Sequence, residues 1–315
     1  MVELLVALAI QFILLAGMVY IYANSRIMFN VNEQLARVQE NGRYTTDALL
    51  HDIRMSGYTG CRSLNEITPN VIANSPPSFA GMGDAVRVYE NGAGWVNPTA
   101  LNRVAGSDVI TLRSARGSSV SLVGNMGTAN ANIQINGNPD GLKANDLILI
   151  SDCTSADLFR ATGVSNGATV TIAHANSANS DNRLSKAYQA DAQIMSFDSR
   201  TYFIATDANG TPGLYQYSLN SNSATLMADG VESMQLLLAE DTGGDQEPDI
   251  YVTASAVSDW EDVIGVRVGL LIRSNNGVTS EPRPFSFDGS EVNTANDTRL
   301  RKVFWSYAAM RNKIN

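Results

Sequence analysis

The sequence predicts an α+β protein: a long N-terminal helix, apolar in its first half and amphipathic in its second, packed on an antiparallel β-sheet head with an additional β region. Three observations predict it. Residues 4–23 carry no charge and one strongly polar side chain, Gln11. No proline occurs between Leu4 and Arg54. Beyond Gly57 the apolar residues change from helical spacing to alternation in short runs separated by Gly, Asn, Ser and Asp.

The first half spans about residues 1–25. About 20 apolar residues, at roughly 1.5 Å each in a helix, match the roughly 30 Å hydrocarbon core of a bilayer. A secretory signal would begin with a basic region and have a shorter apolar stretch, whereas this chain begins Met-Val-Glu. A helix packed on a globular core normally keeps a polar stripe. The segment therefore reads as a membrane anchor, with Glu3 at its lip.

The second half covers residues 26–56. Ile27, Val31, Leu35, Val38, Thr45, Leu49 and Ile53 recur at spacings of three, four or seven, with Gly42 in the gap. Asn32, Arg37, Glu40, Arg43, Asp47 and Arg54 occupy the other side. The stop is expected at Ser56-Gly57, where glycine can take a left-handed turn. One helix of about 50 residues, about 80 Å long, follows. Gly17 and Gly42 are its expected weak points, about 1 kcal/mol each relative to alanine.

The opening "MVELLVALAI" resembles the end of the class III signal of type IV pilins, with Met1, Val2 and Glu3 matching its last three positions. The resemblance implies that a basic leader ending in glycine and two further mature residues precede Met1. The stretches "RVQENGRYTTDALLHDIRMSGYTGC", "ISDCTSADLF", "GVESMQLLLAEDTGGDQEPDIYV", "DWEDVIGVRVGLLIRS" and "YAAMRN" are similar to the PilW family of minor pilins. That likeness implies a pilin-like fold, with the first helix half in the membrane or a filament core. It implies a structural subunit of the type IV pilus priming or tip complex, acting in pilus assembly and so in adhesion and twitching motility. The partners implied are other minor pilins, the major pilin, a tip adhesin, the inner-membrane assembly platform and, for the precursor, the prepilin peptidase. The protein would sit in the inner membrane with a periplasmic head and later at the pilus tip. Glu3 would be an assembly determinant, neutralising the N-terminal ammonium of an adjacent subunit. A minor pseudopilin of type II secretion, or an anchored exterior β domain that binds a ligand, stand as alternatives.

The head, residues 57–315, reads as strands, with an inserted β region at about 65–190. "VIGVRVGLLIR" places Ile264, Val266, Val268, Leu270 and Ile272 on one face of a half-buried antiparallel strand. Shorter β signals lie at "DVITLRS", "DLILIS", "ATVTIA", "RTYFIAT", "GLYQYSL" and "ESMQLLL". "GNMGTANANIQINGNPDG" and "GVSNGATVTIAHANSANSDN" read as surface loops or short hairpins.

No catalytic residue is expected. Neither G-x-S-x-G nor H-E-x-x-H nor a phosphate-binding G-x-x-x-x-G-K-[ST] loop occurs. His51 with Asp52 reads as a helix-surface pair, and His174 lies in a polar loop. The net charge of −9, without a cluster of Lys and Arg, argues against nucleic acid as a partner. Cys61 and Cys153, the two cysteines of the chain, are expected to form one disulfide in an exported domain. No cofactor is expected apart from calcium at one place. "AEDTGGDQEPDIYV" gathers Asp241, Asp245 and Asp249 in a turn whose oxygens suit Ca²⁺, although it departs from the EF-hand pattern. A solvated acidic hairpin loop is the other reading.

Overall fold

The computed structural model describes residues 2–60, 67–74, 85–279, 281–287, 290–292 and 297–313. Helix α1 runs unbroken from Val2 to Met55. Residues 2–30 are exposed throughout. Burial starts at Gln34 and continues through Val38, Gly42, Thr45, Leu49 and Ile53. The predicted stripe is thus engaged only in its lower part: Ile27 lies before the first buried position, and Leu35, beside the buried Gln34, is on a side of the helix turned away from the head. At the helix end the Ser56 hydroxyl donates to the Ile53 carbonyl at 2.6 Å, and Gly57 adopts φ +79°. That left-handed step is one glycine makes at little steric cost.

The strands, in chain order, are β1 (Asn70–Val71), β2 (Val86–Tyr89), β3 (Asn102–Arg103), β4 (Val109–Ser121), β5 (Ile133–Asn136), β6 (Leu147–Ser151), β7 (Ala156–Arg160), β8 (Gly163–Val164) and β9 (Thr169–Ala173). They continue with β10 (Gln193–Thr206), β11 (Pro212–Ser218), β12 (Ser223–Asp229), β13 (Val231–Glu240), β14 (Ile250–Val252), β15 (Val263–Gly277), β16 (Phe285–Phe287), β17 (Ser290–Val292) and β18 (Arg299–Ala309).

Strand β10 is the hub of the larger sheet. One of its edges pairs with β4, which carries β2 beyond it. The other edge forks, with β6 along Gln193–Ser196 and β11 along Arg200–Thr206. From the fork the sheet extends through β7 to β1 in one direction and to β12 in the other. The region expected as an insert at about 65–190 therefore shares this sheet with β10, β11 and β12. The two Asn- and Ser-rich stretches supply β5, β8 and β9, which form a three-stranded sheet. They are more than surface loops, because Ile133, Ile135, Val170 and Ile172 alternate onto one face and pack against Ile148, Ile150 and Phe159.

The second principal sheet has the order β14-β13-β15-β18, all antiparallel. Val266, Val268, Leu270 and Ile272 of β15 share a core with Val38, Leu49, Leu50 and Ile53 of α1, and with Ile110, Leu112, Tyr202 and Ile204 of the larger sheet. Helix and two sheets thus meet over one apolar core. The other face of β15 is covered more fully than alternation predicts. Gly265 and Gly269 lie against the rings of Tyr307 and Trp305, where a Cβ would collide, and Arg267 stacks over Trp305 at 5.0 Å.

Candidate functional site

Two features of α1 define the site: a bare apolar half and a docked half. In the first, side chains such as Phe12, Ile13 and Phe29 stand about 70 % exposed. Helix α1 is long and apolar enough to cross a membrane, and the window that qualifies is not buried against the head. Glu3 lies in the first turn of this half.

The docked half is held at three levels. Highest, Asn41 donates from Nδ2 to Asp229 Oδ1 at 2.8 Å and to the Asp229 carbonyl at 3.1 Å, tying the helix to β12. One residue further, Gly42 faces the Phe304 ring of β18 so closely that a Cβ would collide with it. Gly42 was expected to weaken the helix; in the fold it is the notch that admits an aromatic ring. Gly17 has open space around it. Thr45 donates its hydroxyl to the Asn41 carbonyl at 2.6 Å, so its polar group is satisfied within the helix.

Lowest is Asp52. Its neighbour His51 is exposed, but Asp52 is only 4 % exposed and is not half of a surface pair. Its Oδ2 accepts from Arg116 at 2.8 Å, Arg200 at 3.1 Å and the Tyr202 hydroxyl at 2.5 Å. Gln216 donates to Tyr202, and Arg200 also pairs with Asp198 at 3.1 Å. Burial alone would raise the Asp52 carboxyl, but Arg116, the Tyr202 hydrogen bond and Arg200 together hold it below its usual value. Burial and the Asp52 charge push the Tyr202 hydroxyl up, so it remains a donor. Alternation on β10 aims Arg200 and Tyr202 at the helix. The available signal was a carboxylate three residues after Leu49, on the stripe that must be buried.

The end of the chain closes this junction. Asn312 donates from Nδ2 to the Ser56 carbonyl at 3.0 Å, Arg311 N–H donates to the Arg54 carbonyl at 3.2 Å, and Gly57 N–H donates to the Arg113 carbonyl at 2.8 Å.

The acidic turn between β13 and β14 is self-satisfied. Asp241 accepts backbone N–H groups from Gly244, Asp245 and Gln246, and Asp249 accepts from Thr242 and Gly243. Asp245 caps Glu247. The Thr242 hydroxyl and these backbone donors hold the Asp249 carboxyl below its usual value. Among the described residues no group of three His, Cys, Asp or Glu side chains is placed to hold a metal ion. His174, expected in a polar loop, is 3 % exposed, with Nε2 3.0 Å from the Ala131 carbonyl and its ring on Phe159. Cys153 lies in the turn between β6 and β7 at φ +69°. Cys61 lies outside the described residues, and the expected bridge with it.

Residues 201–312 match the family model described as PilW, Type IV Pilus-assembly protein W. The matched segment contains β11 to β18, including both β15 and β18 on which α1 docks. It supports the PilW family for this chain, and that family implies a role in type IV pilus assembly. No curated protein and no solved structure matches the chain.

Proposed function

We propose that this chain is a minor pilin, a structural subunit of the complex that primes the type IV pilus and stands at its tip. The observation that carries the reading is the single helix Val2–Met55, apolar from Leu4 to Ala23 and exposed there, and docked from Gln34 onward on the sheet of the PilW match. Before assembly the bare half is held by the inner membrane, with the head in the periplasm. In the pilus its solvent is the apolar helices of neighbouring minor and major pilins. A tip adhesin, the assembly platform and the prepilin peptidase are the further partners of such a subunit.

Glu3 has a specific role in this scheme. A carboxylate among apolar side chains costs several kcal/mol unless it is paired. The N-terminal ammonium created by leader removal on an adjacent subunit is the matching charge, and pairing the two sets the axial register between subunits. The test is Glu3→Ala in the full-length precursor, scoring leader removal, membrane level and incorporation into sheared pili separately. Leader removal and membrane level are expected to stay normal while incorporation falls. A variant that assembles as well as the parent would refute the role.

A further inference from the structure

The face of the larger sheet turned away from α1 holds a cleft of about 440 Å³, within the size range of small-molecule sites. Its construction is unusual for a sheet interior. Along β10 and β4, residues of one parity (Tyr202, Ile204, Ile110, Leu112) enter the core shared with the helix. Residues of the other parity form the opposite face, and at both ends that face is apolar: Phe203 with Val109, and Phe197 with Ala115. Between these ends four polar side chains interrupt it. Thr201 is paired with Thr111 and Ser199 with Arg113, and all four are between 4 % and 7 % exposed.

These four line the floor of the cleft beside Tyr217, the β11 neighbour of Thr201, and the rings of Tyr89 and Trp95 complete its lining. The two threonine hydroxyls are 2.8 Å apart, so one donates to the other and one hydroxyl hydrogen of the pair is left over. The Ser199 hydroxyl makes no side-chain hydrogen bond among the described residues and is not sealed from solvent, so it is open to the cleft that Ser199 lines. The wall is firmly built. Trp95 packs on Phe203 with ring centroids 4.9 Å apart. Asn97 braces the loop through Leu101 and Thr99, and Asp108 accepts the Asn91 N–H at 2.7 Å.

We infer that this cleft is a carbohydrate site that takes one pyranose unit, its C–H face on the aromatic wall and its hydroxyl edge on the Thr111, Thr201, Ser199 and Arg113 floor. A wholly apolar ligand would leave the floor hydroxyls buried without partners. A simple anion would make no use of the aromatic wall. A pyranose has one apolar face and one hydroxylated edge, and the cleft offers aromatic rings and polar side chains side by side. The inference does not rest on the assembly role, since the cleft is remote from the bare half of α1.

The experiment uses the full chain in a detergent without a sugar headgroup, with saturation-transfer NMR against methyl glycosides of glucose, galactose, N-acetylglucosamine and glucuronate, and p-cresol as the non-sugar probe. Transfer to the ring protons of at least one glycoside is expected. Ser199→Ala and Trp95→Ala should each weaken that glycoside by about tenfold. Ser199→Ala removes a hydroxyl without a partner, so its melting temperature should match the parent and its loss of binding cannot be misfolding. No transfer to any glycoside, transfer unchanged in Ser199→Ala, or transfer to p-cresol alone would each overturn the assignment.

Discussion

The two halves of α1 share one unbroken backbone and differ in what surrounds them. From Leu4 to Ala23 the helix carries Leu, Ile, Phe and Val on all sides, and none of the described residues of the head covers them. From Gln34 onward, a narrow stripe is buried and the other faces carry charge. An all-round apolar helix is stable only in an apolar solvent, so the upper half needs a partner outside this chain. The lower half has its partner within the chain, and its fit depends on particular residues: a missing side chain at Gly42 and a buried charge at Asp52. One half requires only greasiness; the other requires register.

The contrast can be broken at several points. Ile13→Arg places a cation mid-way along the bare half, at a cost of about 2.5 to 3.5 kcal/mol for membrane insertion. Membrane fractionation should show the protein leaving the bilayer fraction, while the head's melting temperature is unchanged because residues 2–30 do not touch it. A fall in head stability would mean that the halves are not independent.

Asp52→Ala attacks the lower half. It leaves Arg116 and Arg200 without their shared acceptor. Because those side chains keep 21 % and 28 % exposure, the loss is set at about 2 to 3 kcal/mol, below that of a fully buried pair. The parent should show the matching pH dependence. The folded-state pKa of Asp52 lies below its usual 3.8, so its contribution is complete above that value and is lost as pH falls from about 4 toward the folded-state pKa. Denaturant titrations of both proteins between pH 7 and pH 3 should converge on acidification, and parallel curves would remove Asp52 as the cause.

Gly42→Val forces a branched side chain against Phe304 and should cost about 2 kcal/mol by overpacking, although valine is the better helix former. A gain in thermal stability would show that Phe304 can swing aside. The smallest effect belongs to the exposed Glu33–Arg37 pair at the boundary, 2.9 Å apart. Glu33→Ala should change stability by no more than about 0.5 kcal/mol in a denaturant melt.

The helix, its stop and the inner face of β15 were legible in the sequence because periodicity and the lack of proline are local properties. The site was legible only where it is local too: Glu3 and the apolar run stand in the first 25 residues. Asp52 was not, because what makes its burial tolerable lies far along the chain, with Arg200 and Tyr202 148 and 150 positions away. Without those partners in view, a helical aspartate beside a histidine reads as surface. The same holds for β5 and β9, whose short apolar alternations become a sheet only when paired across the intervening residues 137–168, which themselves supply β6, β7 and β8. The polar floor of the aromatic cleft needs two strands and a loop to exist at all.

The clasp at Ser56 and Gly57 has a mechanical meaning. A pull on the N-terminal end of α1, along its axis, does not lift the helix off the head one contact at a time. Asn41, Gly42 with Phe304, and Asp52 are spread over about 17 Å of the helix axis, parallel to the load, and the far end is stitched to β4 and to the last residues of the chain. The contacts are therefore strained together, in shear, and the Phe304 ring in its glycine notch acts as a detent against sliding. Tension on the helix is shared across both sheets of the head before any single bond has to yield.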